Sequence, residues 1–300
     1  MFDETYDISI YKESLKQNGY AIIPNVYNNE EINEYWDEFN KWRNSVPDLD
    51  ELHNLIDYNG IYKHHQVGHQ RFAWLARTNP KILNIFKQLW ETEELVCGFD
   101  GCCHYPSDYI GKDHYWIHTD QSSRKKGLCC YQSFLSLTNN SERTLVLYNG
   151  SHLLHENYFE KMEIDEPRNW HIIDKIYLNE DLEKTKIKLN VKSGDLVIWD
   201  SRTFHQNSCG SKDCKEERLI QYLCYLPRFD ENNTEKQNKL RRKFYENLRT
   251  TSHWPYPMNA VPEQANNYNF YNPDNQIYID YESLPKPYLE DLKEEIEKLL

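Results

Sequence analysis

The chain has 300 residues, 39% hydrophobic and 14% aromatic, enough to bury the core of one large domain or a domain with helical additions. A formal net charge of −13 argues against a surface that binds nucleic acid or a membrane as a whole. There is no apolar run of about eighteen residues, and the acidic start "MFDETYDISIYKES" lacks the basic region and apolar run of a secretory signal, so a cytoplasmic protein without a membrane span is expected.

In chain order, a short helix is predicted over Ile8–Gln17, then Gly19, an apolar strand in "YAIIPNV", and a helix from about Asn28. In that helix Ile32, Tyr35, Trp36, Phe39 and Trp42 recur at steps of three and four, one apolar stripe for core packing. Asn79–Pro80 opens another helix, a cap followed by proline in the first turn, carrying Ile82, Leu83, Phe86, Leu89 and Trp90. Between these helices "KHHQVGH" places His64, His65 and His69 in a loop, as surface or substrate-lid residues. From about residue 94 the pattern changes to short strands: "LVCGFD", "HYWIHTD", "LCCYQSFLSL", "TLVLYN", "KIKLNV", "DLVIWD" and "RLIQYLCYL". Such a series separated by turn residues predicts an antiparallel sandwich or barrel. From about 234 the chain turns helical and Pro-rich. Leu289, Leu292, Ile296 and Leu299 there form a seam expected to dock on its own domain. Eight cysteines without a signal peptide are expected to be reduced and mostly buried. Their spacing, adjacent in Cys102–Cys103 and Cys129–Cys130, does not fit a zinc ribbon.

"HYWIHTDQSS" carries the first chemical signal. In a strand His118 and Asp120 emerge on the same side, with Thr119 on the other. A neutral imidazole beside a carboxylate makes two thirds of a metal site. "SGDLVIWDSRTFHQNS" offers the third ligand: a turn at Gly194–Asp195, the buried strand "LVIW", a short polar link, and His205. Two imidazoles and one carboxylate, with positions left open, form the facial set that suits Fe(II) best; thiolates would favour zinc, and all-oxygen ligands magnesium or calcium. Arg218 opens "RLIQYLCYL". A buried guanidinium there calls for an anion, and its natural partner is a carboxylate held in two places. A dicarboxylate that chelates iron through one end and meets Arg218 with the other is 2-oxoglutarate.

The stretches "NGYAIIPNVYNNEEI", "HTD", "TLVLYNGSHLLH" and "GDLVIWDSRTFHQN", with Arg218, resemble the phytanoyl-CoA dioxygenase-like family of Fe(II)/2-oxoglutarate oxygenases. Where the family usually has a proline before "GSH", this chain has Asn149, which touches loop stiffness and leaves the ligands alone. The resemblance implies a mainly β protein with flanking helices: a double-stranded β-helix (jelly roll, cupin-like) with helical additions at both ends. It implies one oxygenase domain over 1–300, with 1–93 helical, 94–230 the jelly roll and 231–300 a helical extension. His118, Asp120 and His205 would be the catalytic metal ligands, Arg218 would hold 2-oxoglutarate, and O2 would be the oxidant. Gln132 falls near where relatives place a residue that touches the co-substrate. Relatives that halogenate carry a small residue in place of the aspartate, so Asp120 points to hydroxylation, desaturation or ring closure.

Around this set, Trp116 and Tyr131 are candidate pocket walls, and His152 and His155 are read as loop residues near the mouth. "SSRKKG" offers Arg124, Lys125 and Lys126 as a rim for an anionic substrate, against the plainer reading of a solvated turn. The longer spacing from His205 to Arg218, through "CGSKDCKEE", reads as a surface loop insertion. The partner expected is a small molecule, acted on by a monomer or homodimer, with nucleic acid disfavoured. Two other readings stay open: a metal-binding protein of this fold without turnover, and a hydroxylase of protein or nucleic acid.

Overall fold

The computed structural model describes residues 6–57, 59–111 and 113–300. The chain divides into two interleaved compact units. One comprises Met1–Asn25 and Tyr105–Arg218, the other Val26–His104 and Leu219–Leu300. Both mix helices with antiparallel strands, and among the described residues no helix is long and apolar enough to cross a membrane.

The first unit holds two antiparallel arrays. The first runs in the order Tyr20–Ile23, Leu196–Asp200, Tyr131–Ser136. It begins at Gly19, which closes the helix Ile8–Asn18 at φ +82° and donates its N–H to the carbonyl of Leu15. A side chain here would be strained, and its Cβ would lie 2.6 Å from Nδ1 of His152. The predicted strand in "YAIIPNV" thus starts where its glycine dictates. The second array runs His171–Ile172, His118–Thr119, His205–Asn207, Leu145–Tyr148, Lys186–Lys188. Only His118 and Thr119 of "HYWIHTD" join this ladder, because the N–H of Trp116 donates to the side chain of Gln206 instead of to a neighbouring strand. The outer face of this sheet is closed by Ile117, Tyr148, Tyr158, Phe159, Ile173 and Phe204, an apolar cluster that includes the helix His155–Lys161. The 209–217 segment, read from sequence as a surface insertion, is pinned from inside. Arg143, 1% exposed, donates to the carbonyls of Cys209, Cys214 and Glu216 within it, and to those of Pro106 and Tyr109. Cys209 and Cys214 are buried, and all eight cysteines are free.

The second unit bears out both predicted amphipathic helices. Asn28 caps Asn29–Ser45 through a reciprocal pair with Glu31, and Tyr35, Phe39 and Trp42 are its buried stripe, with Ile32 and Trp36 half-buried at the margins. Asn79 caps Pro80–Trp90, whose Ile82, Phe86 and Leu89 are buried. The helices Leu49–Ile56 and Arg71–Arg77 escaped the sequence reading, being only 8 and 7 residues long, shorter than the stretch over which a helical repeat stands out. At the C-terminus only Lys293–Glu297 is α-helical; Ile296 and Leu299 are buried, Leu289 and Leu292 half-buried.

"KHHQVGH" corrects one expectation. His64, His65 and His69 are 5%, 3% and 0% exposed, so they are core residues and not a surface lid. His65 and Gln66 both adopt left-handed backbone, which turns the segment inward; His65 packs beside His53, and His53 stacks on Tyr62 at 4.1 Å. Nδ1 of His64 and of His65 meets no hydrogen-bond partner. Burial pushes both imidazoles down to about 4 and His69 to about 3, with the Lys63 charge adding to the shift at His64 and Arg77 at His69. The opposing influences are weaker: the Glu263 backbone, then Asp57, at His64, and Asp50 at His53. A histidine near 6.5 when unfolded and near 4 when folded contributes stability that is whole above pH 6.5 and is lost as pH falls toward 4. For His64 and His65 the loss by pH 5 is on the order of 2 kcal/mol each. Thermal melts from pH 7.5 to 4.5 are therefore expected to show Tm falling steeply below pH 6.5. The double variant His64→Gln/His65→Gln should flatten that fall, and an unchanged slope would contradict the assignment.

Candidate metal centre

Strand register brings the sequence-distant ligands together. His205 lies directly opposite His118 across the antiparallel pair, and their rings stand 4.3 Å apart. The Asp120 N–H donates to the carbonyl of Ser201 at 2.9 Å, which ties the "HTD" turn to the link preceding His205. Among the described residues, His118, Asp120 and His205 form the one group of His, Cys, Asp or Glu able to hold an ion, with donor atoms all within 4.8 Å of one another and every side chain buried.

Both imidazoles have fixed tautomers. Nδ1 of His118 is 2.9 Å from the carbonyl of Trp116, and Nδ1 of His205 is 2.8 Å from that of Thr203. A carbonyl can only accept, so each Nδ1 carries the proton and each Nε2 presents a lone pair. Those lone pairs face Oδ2 of Asp120, at 3.5 Å from His118 and 3.3 Å from His205. Burial, with His118 beside it, lowers the pKa of His205, against the smaller opposing pull of Asp120. Three electron-rich atoms aimed at one point suit a cation between them. Ligands about 2.1 Å from an ion stand about 3.0 to 3.4 Å apart, a range that holds the 3.3 Å separation and lies just below the 3.5 Å one. The donor set of two nitrogens and one carboxylate oxygen fits Fe(II).

The other array also reaches the centre. Its register pairs Trp199 with Gln132 and Val197 with Phe134, so these four share one face. Gln132 Nε2 donates to Oδ2 of Asp120 at 3.0 Å, which fixes the carboxylate, while its Oε1 is buried without a partner. The Trp199 ring is 5.3 Å from His205. Arg218 is 1% exposed; its Nη2 donates to Oδ1 of Asn207 at 3.1 Å and its guanidinium lies 5.5 Å from the Phe134 ring. Asn207 is two residues beyond His205 on one strand, so Arg218 meets the same face that carries the imidazole.

The remaining sequence candidates separate. Trp116 stacks on His118 at 4.8 Å and 18°, and its indole N–H donates to the carbonyl of Asn207 at 3.1 Å. Tyr131 pairs with Asp200 on the face of its strand away from Gln132, and burial pushes its hydroxyl up to about 12. Arg124 donates to both carboxylate oxygens of Asp165, at 2.8 and 2.7 Å, and Lys126 lies 3.3 Å from Glu156, so these two rim charges are already compensated. Lys125 follows in the same turn, its N–H bonded to the carbonyl of Ser122. His152 and His155 are buried scaffold: their Nε2 atoms bond the carbonyls of Lys16 and Gln121. Three contributors went unread in the sequence. Ser151 of "GSH" accepts from the N–H of Phe204, directly before His205. Asn207 could have been found by carrying the alternation of His205 two residues further. Trp170, 6.0 Å from His118, had no signal around it.

Comparison with known proteins agrees with this geometry. The profile of the phytanoyl-CoA dioxygenase (PhyH) family matches residues 15–208. The Ava biosynthesis cluster protein O of Aspergillus versicolor is 29% identical over 269 residues, covering 82% of this chain and 86% of that one. Among solved structures, EctD from S. alaskensis with bound Fe aligns at a TM-score of 0.50 and 13% identity, over 76% of this chain and 79% of its own. The same protein with 2-oxoglutarate and 5-hydroxyectoine aligns at 0.50 and 13%, over 76% and 78%.

Proposed function

This chain belongs to the phytanoyl-CoA dioxygenase family, and on that premise we propose that it is an Fe(II)- and 2-oxoglutarate-dependent dioxygenase. Its reaction is the hydroxylation of an unactivated C–H bond in a small molecule, with release of succinate and CO2. One observation carries the reading: two Nε2 lone pairs, set by their Nδ1–carbonyl bonds, and a carboxylate oxygen converge on one point as the ligands of a cation do. The framework is a double-stranded β-helix, working as one domain over 1–300 in the cytoplasm. Fe(II) with 2-oxoglutarate supplies the activation of O2 when bound.

Each protein group has a defined share of the work. His118, Asp120 and His205 would hold the ion. Gln132 keeps Oδ2 of Asp120 aimed inward through its 3.0 Å hydrogen bond. Arg218, on the His205 face through Asn207, receives the distal carboxylate of 2-oxoglutarate. Two residues of strand span about 7 Å, so His205 and Asn207 are spaced for the two ends of a five-carbon diacid. Phe134 packs on Trp199 and Trp199 on His205, so these rings would exclude water beside a bound ion.

Two measurements test the proposal. Titration of the metal-free chain with Fe(II) under anaerobic conditions should give one site per chain. Addition of 2-oxoglutarate should then produce the weak visible charge-transfer band of the ketoacid chelated to ferrous iron. A chain that takes up iron but shows no band would be a metal-binding protein without turnover.

A further inference from the structure

Resting on the iron reading above, we infer that Trp170 and Ile172, with Trp116, form a recognition ledge for a flat, conjugated, uncharged ring on the substrate. Ile172 pairs directly with His118 across the antiparallel ladder, so the two side chains share a face, and Trp170 stands immediately before that strand. The distances agree: the Trp170 ring is 6.0 Å from that of His118, while Trp116 stacks on His118 at 4.8 Å. His118 therefore has two indoles beside its ring.

Trp170 and Ile172 are 43% and 41% exposed. A single exposed apolar side chain needs no explanation, but two beside a candidate metal ligand mark a binding surface. The ledge is preformed. Asn169 Oδ1 accepts from the N–H of Ser122 at 3.2 Å, and the carbonyl of Glu166 accepts from Ser122 Oγ at 2.7 Å and the N–H of Ser123 at 3.1 Å. These bonds fasten the 166–172 segment to the residues that directly follow Asp120.

The nearby charges argue for an uncharged ring. Arg168 is matched by Glu166, at 2.9 Å through Nε and again through Nη2, and Arg124 by Asp165. His171 stands 3.7 Å from the same Glu166. What the ledge offers is a stacking plane and an aliphatic edge. Offset stacking on an indole, beyond its share of buried area, is worth about a three- to tenfold gain in affinity over a puckered ring of equal size.

The test compares naphthalene-2-carboxamide with its saturated counterpart, decahydronaphthalene-2-carboxamide, by calorimetry on the full chain loaded with Mn(II) and 2-oxoglutarate. The naphthalene amide should bind about three- to tenfold tighter. Trp170→Leu should bring that ratio to about one, and Trp170→Phe should keep most of it. Equal binding of the two amides by the wild-type chain would overturn the inference, as would an unchanged ratio in Trp170→Leu. The ratio is also measured without Mn(II). Failure of metal uptake then overturns the iron reading alone, while the ledge stands or falls on the ratio.

Discussion

Asp120→Gly is expected to abolish succinate formation from 2-oxoglutarate and to weaken ferrous binding by at least two orders of magnitude. The carboxylate is 2% exposed and supplies the only anionic donor of the set. Without it two neutral imidazoles, 4.3 Å apart, must hold the ion alone. Changing a group that merely orients a ligand costs about 10- to 100-fold in metal affinity, so removing a ligand should cost more. Stopped-assay succinate measurements and ferrous titration report the two effects separately. Asp120→Asn keeps the shape and the approach of Gln132 while removing the charge, so it should share the loss of iron binding without a change in Tm. Full succinate production by Asp120→Gly would remove the aspartate from the ligand set.

Arg218→Met should raise the KM for 2-oxoglutarate by about two to three orders of magnitude while iron binding stays intact. Arg218 is buried, and its Nη2 is tied through Asn207 to the His205 strand, where a far carboxylate would meet it on the proposed reading. Truncating one partner of a buried, hydrogen-bonded charge pair costs about 2 to 5 kcal/mol. Arg218→Lys retains the charge but not the fork, so it should recover only part of the affinity. A KM unchanged in Arg218→Met, at wild-type iron content, would place the ketoacid's second carboxylate elsewhere.

Much of the centre was legible before any coordinates. The HxD spacing and the histidine after "GDLVIWD" each sit beside strands whose apolar residues mark their inner faces, and strand alternation then says which side chains converge. Gln132 could be placed near the pocket only through the family likeness; its contact with Asp120 depends on the register with Trp199, which no local pattern encodes. The "KHHQVGH" histidines were misjudged because burial there is imposed by packing around His53 and Tyr62, and polar residues carry no apolar period to announce it. Trp170 was invisible for a related reason. It lies in an irregular segment, and its place beside His118 comes from a two-residue ladder at a sheet edge. The surroundings of the basic turn at 122–127 were equally out of reach, since the carboxylates that face it, Asp165 and Glu156, come from 41 and 30 residues away in Arg124–Asp165 and Lys126–Glu156.

The groups that set the two imidazole tautomers, the carbonyls of Trp116 and Thr203, belong to the main chain. No point substitution deletes a carbonyl, so the orientation of both nitrogens is insulated from drift in the neighbouring side chains. The acidic member has no such insurance: it is a single side chain steadied by another. Diversification of this centre, in nature or by directed evolution, should therefore run through position 120 and its amide neighbour, with the histidine pair persisting as an inherited constant.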